Sequence, residues 1–144
     1  MDLKGKTAIV TGGGRDIGRA CVLELAARGA NVAINYMASS EGADSAVAEI
    51  KAAGGEAVPC MESVVTMEGG EKIVQTAVDS FGKLDIVVTC AGILRDRMIF
   101  NMSEEEWDDV IAVHLKGTFT VVKHACILFR QQRSGRIITF SSQS

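Results

Sequence analysis

A glycine-rich segment between an apolar run and a helical pattern constrains the fold of this chain most. The run KTAIVT (6–11) is rich in β-branched residues, and a cluster of glycines follows it directly. Ile17, Cys21 and Leu25 then recur at helical spacing up to Gly29. A strand, tight turn and helix in this order present unpaired backbone N–H groups to an anion, and glycines permit its close approach. The segment therefore predicts a dinucleotide site.

The rest of the chain continues the alternation of strand-like runs and helical patterns. Further strands are predicted at 31–36, 57–61, 84–89 and 136–140, with amphipathic helices between them. Apolar strands that alternate with helices indicate a parallel sheet covered on both faces and joined by right-handed crossovers. We therefore predict a single α/β domain, residues 1–144, with a Rossmann-like doubly wound parallel sheet.

A long helix is predicted to begin at a capping box formed by Ser103 and Glu106. Its apolar stripe is expected to be buried, in the core or in a subunit interface. The stripe consists of Trp107, Val110, Ile111, Leu115, Phe119, Val122, Cys126 and Phe129.

Composition narrows the classes of partner. The net charge is −3 and no basic run stands out, which argues against nucleic acid. The four cysteines are scattered without metal-ligand spacing, so we expect free thiols in a reducing compartment and no metal site. We find no signal-peptide pattern and no apolar stretch of membrane-span length, which predicts a cytoplasmic protein without membrane contact.

Four segments resemble the short-chain dehydrogenase/reductase family. TGGGRDIG (11–18) is similar to its T-G-x-x-x-G-x-G motif, and A91-G92 partly matches its N-N-A-G, with Thr89 and Cys90 in place of both asparagines. VHLKGTF (113–119) and GRIITFSS (135–142) resemble two further family segments. Within the family, the chain looks most similar to 3-oxoacyl-carrier-protein reductases and to the (3R)-hydroxyacyl-CoA dehydrogenase part of peroxisomal multifunctional enzymes. The resemblance implies strand order 3-2-1-4-5 and a homo-oligomer, dimer or tetramer.

The resemblance also implies which residues hold the cofactor. Asp16 occupies the position of the family's middle glycine, so either the turn geometry differs or the side chain caps its neighbours. Cys90 is expected to contribute backbone contact only. The implied cofactor-binding residues are Gly12, Gly14, Arg15, Asp16, Ile17, Gly18, Asn35, Tyr36, Ser39, Glu62, Ser63, Val64, Cys90, Ala91, Gly92 and Ile93.

NADP(H) is the preferred cofactor on this interpretation, with NAD(H) possible. The second strand ends in Asn35-Tyr36 and not in the acidic residue that binds the ribose hydroxyls of NAD. Arg15 would face the 2′-phosphate, or it is a solvated turn residue, and Ser39 or Ser40 would add hydroxyl donors. After the third strand, Glu62 or Ser63 would contact the adenine amino group.

The catalytic apparatus is only partly represented. Ser142 matches the family serine that orients the substrate carbonyl, and His114 matches the asparagine that orders a water chain behind the catalytic lysine. The family's Tyr-x-x-x-Lys unit lies about a dozen residues beyond the serine, whereas the sequence given ends at Ser144 and its only tyrosine is Tyr36. We expect these residues to be the cofactor-binding half of a longer reductase, inactive alone, in preference to a natural short protein.

The predicted function is interconversion of a ketone, a 3-oxoacyl thioester or similar substrate, and a secondary alcohol by NAD(P)(H). The alternative is a catalytically silent nucleotide-binding or assembly subunit.

Overall fold

The computed structural model describes residues 2–142 and contains one five-stranded sheet. All four strand pairings are parallel, and the strand order is β3-β2-β1-β4-β5, which confirms the predicted order. The predicted strands are all present, β2 and β3 with the predicted bounds and the other three with one end shifted by one or two residues. The strands are β1 (Thr7–Thr11), β2 (Asn31–Tyr36), β3 (Ala57–Met61), β4 (Ile86–Thr89) and β5 (Arg136–Thr139).

Five α-helices connect the strands and cover both faces of the sheet. The two cores explain why β1 is an unbroken apolar run, because Val10 faces α1 and α2 whereas Ile9 faces α3 and α5. Both side chains are fully buried. The helices are α1 (Asp16–Ala27), α2 (Glu41–Ala52), α3 (Met67–Phe81), α4 (Glu104–Ile111) and α5 (Gly117–Gln132).

The strand order creates a crevice at the edge of the sheet formed by the carboxyl ends of the strands. The chain passes from β1 outward to β3, then returns to place β4 on the other side of β1. In open α/β sheets, ligands bind outside the carboxyl ends of the strands where the order reverses. The ends of β1 and β4 therefore mark the place for a ligand.

The long helix differs from its prediction in two ways. A π-helical turn, Ala112–Lys116, separates α4 from α5, and much of the apolar stripe points outward, since Trp107, Leu115 and Phe119 are each more than half exposed. The expected burial in the core is wrong for these three residues, whereas Phe129 at the end of the stripe packs against the core beneath α3 and α5. The inward face of α5 carries the smaller Thr120, since α3 approaches so closely that a Cβ on Gly70 would lie 2.8 Å from the Thr120 side chain.

The segment Glu104–Gln132 is also long and apolar enough, by length and composition, to cross a membrane. The sequence showed no uninterrupted apolar stretch of that length, but α4, the π turn and α5 join into 29 continuous helical residues. Core helices of soluble proteins meet the same two criteria. The segment packs through α5 against α3 and β4.

Candidate functional site

Thr11 joins the ends of β1 and β4 at the crevice. Its hydroxyl oxygen accepts hydrogen bonds from the backbone N–H groups of Cys90 (3.0 Å) and Ala91 (3.1 Å). Gly12 follows with φ +64°, and a Cβ there would lie 2.8 Å from the Cα of Ala91. The chain thus leaves β1 in direct contact with the backbone that follows β4.

The start of α1 is packed equally tightly onto the glycine turn. A Cβ on Gly18 would collide with the carbonyl oxygen of Gly12. Gly13 donates its N–H to the carbonyl of Asn35 (2.9 Å). These contacts fix the N-terminus of α1 beside the ends of β1 and β2.

Asp16 adopts the backbone conformation that its glycine counterpart would favour. Its φ is +48°, in the left-handed region that aspartate tolerates better than most residues. Its carboxylate is 84% exposed and lies 3.8 Å from the Arg15 Nε. Of the two alternatives for this position, the side-chain cap is absent within residues 2–142, because no side chain caps the start of α1.

The start of α1 fits a pyrophosphate. The first N–H groups of a helix lack intrahelical acceptors and, together with the helix dipole, attract an anion. No side-chain cap competes for them in the described part of the chain. A Cβ on Gly42 would collide with the carbonyl of Gly14, so α2 also begins against this turn. Ser39 lies beside it, with its hydroxyl 3.4 Å from the Glu41 N–H.

The two side chains at the end of β2 have different environments. Asn35 is buried, and its amide donates to the backbone carbonyls of Cys60 (3.2 Å) and Glu62 (2.9 Å) at the end of β3. Tyr36 is half-buried and packs against the core beneath α1 and α2. The Asn35 amide therefore ties β2 to β3, and Tyr36 lies on the same face as the glycine turn.

The loop after β3 is held by α3 and α5. The Glu62 carboxylate lies 3.9 Å from the Lys72 ammonium, and the Ser63 hydroxyl accepts from the Val65 N–H (3.3 Å). Val64 is buried, and its carbonyl accepts the Thr120 hydroxyl. The candidate adenine-binding residues thus have a fixed backbone.

The segment after β4 contacts His114 through Ile93. The His114 Nε2 lies 3.1 Å from the Ile93 amide nitrogen and 2.8 Å from its carbonyl oxygen. Burial, with a smaller effect of Cys21, raises the pKa of the Cys90 thiol. The thiol is therefore protonated at neutral pH and unsuited to act as a nucleophile.

Ser142 follows β5 at the same edge of the sheet. Thr139, the last residue of β5, is in register with Thr89 at the end of β4, and Ser142 lies three positions further on and is exposed. The candidate residues therefore come from the carboxyl ends of all five strands. This is the edge where the strand order places a ligand.

Comparison with known proteins identifies the family to which this chain belongs. The sequence model of the short chain dehydrogenase family matches residues 6–144. The chain belongs to the short chain dehydrogenase family.

Similar proteins include reductases and multifunctional enzymes. The chain is 44% identical over 137 residues to the 3-oxoacyl-[acyl-carrier-protein] reductase FabG of Staphylococcus aureus, covering 95% of this chain and 56% of that protein. It is 45% identical over 148 residues to the peroxisomal multifunctional enzyme type 2 of Mus musculus, covering 97% of this chain and 20% of that enzyme. A short chain dehydrogenase structure from Mycobacterium avium superposes with a TM-score of 0.92 at 45% identity, covering 99% of this chain and 56% of that one. The chain thus spans about half the length of the bacterial reductase.

Membership of the short chain dehydrogenase family confirms the resemblance seen in the sequence. Sequence reasoning nevertheless missed two features of the site, namely the Thr11 hydroxyl that binds two backbone N–H groups and the close approach of Gly42 to the glycine turn. A threonine at the end of a buried strand and a glycine in the first turn of a helix were the available signals.

Proposed function

We propose that the protein carrying this chain interconverts a ketone and a secondary alcohol with NADP(H). The glycine turn at the β1–β4 crevice carries the proposal, because it leaves no room for side chains and opens the start of α1 to a pyrophosphate. When bound, the nicotinamide supplies or accepts the hydride. The residues of this chain bind and position the cofactor.

The preference for NADP(H) follows from the charges beside the turn. Arg15 is 77% exposed, and its side chain is held only loosely by Asp16 at 3.8 Å. It is therefore available to a 2′-phosphate. Because the Asn35 amide is engaged by β3, Tyr36 is the residue whose position decides ribose recognition, and it carries no negative charge to repel that phosphate.

Ser142 is proposed to orient the carbonyl oxygen of the substrate, with His114 at the position of the relay asparagine. Proton donation needs a group beside that oxygen. Tyr36 is the only tyrosine of these 144 residues, and Ser40 stands four positions after it where the lysine would be. We therefore propose that proton donation comes from a Tyr-x-x-x-Lys unit that these 144 residues do not contain.

The substrate class proposed is a 3-oxoacyl thioester. A relative with 44% identity is a 3-oxoacyl-[acyl-carrier-protein] reductase, and the identity extends over 137 residues that include the crevice. We further propose a cytoplasmic homo-oligomer, in which the outward stripe of α4 and α5 is covered by another subunit.

The experiment is NADPH oxidation with an acetoacetyl thioester, measured on the full-length protein that carries this chain. We expect turnover that Ser142→Ala lowers by about 100-fold, whereas the neighbouring Ser141→Ala retains it. Cofactor binding without turnover of any ketone would instead favour the silent nucleotide-binding subunit.

The cofactor preference has its own test in Arg15→Ala. Losing the charge should weaken NADPH binding by about tenfold, the size of one charge-assisted hydrogen bond, and should leave NADH binding within about twofold. Equal losses for both cofactors would show that Arg15 does not recognise the 2′-phosphate.

A further inference from the structure

A single nitrogen atom of His114 contacts both polar groups of the Ile93 backbone. The Nε2 lies 3.1 Å from the Ile93 amide nitrogen and 2.8 Å from the Ile93 carbonyl oxygen. The amide needs an acceptor and the carbonyl needs a donor, whereas one nitrogen of a neutral imidazole is either one or the other. The tautomer of His114 therefore decides which group of Ile93 is bound.

His114 is an exposed residue whose imidazole ring lies against the backbone that follows β4. The π-helical turn Ala112–Lys116 carries His114, and the Thr118 hydroxyl donates to the His114 carbonyl (2.8 Å). A Cβ on Gly92 would lie 2.6 Å from the ring Cε1. The ring is thus seated against the backbone of Gly92 and Ile93, and both polar groups stay within its reach.

The other histidine provides an internal contrast. The Nδ1 of His124 lies 2.8 Å from the Thr120 carbonyl oxygen. A carbonyl accepts only, so this contact requires the Nδ1–H tautomer. His124 is therefore expected in one neutral tautomer, whereas the contacts of His114 favour neither exclusively.

We propose that His114 is a positioning residue whose two tautomers hold the backbone after β4 in two alternative hydrogen-bonded states. An asparagine carries its donor and acceptor on separate atoms and would satisfy both groups of Ile93 together. The single Nε2 of histidine binds only one of them at a time. Because residues 91–93 are proposed to support the cofactor, the His114 tautomer sets how firmly that support is held, and this part rests on the proposed function.

The tautomers are tested by nitrogen chemical shifts of the ¹⁵N-labelled full-length protein at about pH 8, where free histidine is neutral. We expect the Nδ1–H form for His124 and averaged shifts of both forms for His114. Protection of the Ile93 amide from hydrogen exchange should rise about threefold or more in His114→Asn and fall in His114→Leu. A single tautomer at His114, or unchanged Ile93 protection in His114→Asn, would overturn the proposal.

The effect on the cofactor is tested by calorimetry with NADPH. His114→Leu should weaken binding by about tenfold, which is the effect of one lost hydrogen bond, and His114→Asn should bind at least as tightly as the wild type. The matched control His124→Asn should leave the affinity unchanged. If the wild type binds NADPH and all three variants bind equally, the positioning role is wrong, whereas absence of binding to the wild type contradicts the proposed function and leaves the tautomer measurement to decide.

Discussion

The two sides of the sheet differ in how completely this chain buries its own apolar surface. On the β1–β2 side, Val10, Ile34 and the α2 residue Ala43 are fully buried beneath α1 and α2. On the β5 side, every residue of Arg136–Thr139 is exposed and Phe119 projects outward at 55% exposure. The first side therefore has a core that this chain closes by itself, whereas the second leaves apolar side chains exposed, which is the surface that we propose another subunit covers.

The largest effect on cofactor affinity is expected in the glycine turn, where the backbone leaves no space for a side chain. Gly18→Val would drive its side chain into the carbonyl of Gly12, so the turn must move and cofactor affinity should fall by about 100-fold or more. Calorimetry with NADPH measures the loss. The control is Gly54→Ala, where a Cβ meets nothing within 4 Å. Its φ of +82° costs about 1 kcal/mol of stability, but its cofactor affinity should match the wild type.

The exposed side should respond through assembly and not through folding. Phe119→Glu places a charge in the outward stripe and should convert an oligomer to a smaller species, with the midpoint of urea unfolding of the subunit little changed. Sedimentation velocity measures the change. Met61→Glu is the control, since Met61 is 64% exposed and lies in β3, the outer strand farthest from β5. An unchanged oligomeric state in Phe119→Glu would show that this stripe is not the interface.

Sequence patterns predicted the order and type of the elements, because strand and helix periodicities are local properties. They also predicted the glycine turn, whose meaning comes from its place between β1 and α1. The direction of the Trp107–Phe119 stripe was not predictable, because periodicity shows which residues share a face but not which face meets the sheet. The contacts of Asn35 with the end of β3 and of His114 with Ile93 join distant parts of the chain, and no local pattern encodes them.

A smaller effect on cofactor affinity is expected at Asp16, which occupies the position of the family's middle glycine in the glycine turn. Asp16→Gly removes both a left-handed aspartate and a negative charge near the pyrophosphate seat, so NADPH affinity should rise about threefold to tenfold. Asp16→Asn removes only the charge and should give part of that gain. Weaker binding in Asp16→Gly would mean that the carboxylate itself supports the bound cofactor.

The smallest effect is expected in the stability of the protein, at the amino ends of the strands. There Asp85, just before β4, binds the first residue of β1. Burial acts to raise the pKa of this carboxyl, but hydrogen bonds from the Thr7 N–H and the ammonium groups of Lys6 and Lys83 outweigh it and lower the pKa. A lowered folded-state pKa stabilises the protein above the unfolded-state value and loses that effect as the pH falls through the folded value. Asp85→Asn should therefore cost about 1 kcal/mol of unfolding free energy at pH 7 and less in acid.

Urea unfolding at neutral pH and at about pH 3 measures this difference. The exposed Asp79→Asn serves as the control. An equal loss at both pH values would show that Asp85 acts through packing and not through its charge.

Direct titration of NADPH and NADH into the full-length protein and its Gly18→Val variant tests the central claim, that the glycine turn at the β1–β4 crevice seats a phosphorylated dinucleotide. We predict one NADPH per subunit, bound about tenfold more tightly than NADH, and no measurable binding of either to the variant. Tighter binding of NADH, or equal binding of NADPH to the wild type and the variant, would contradict the claim.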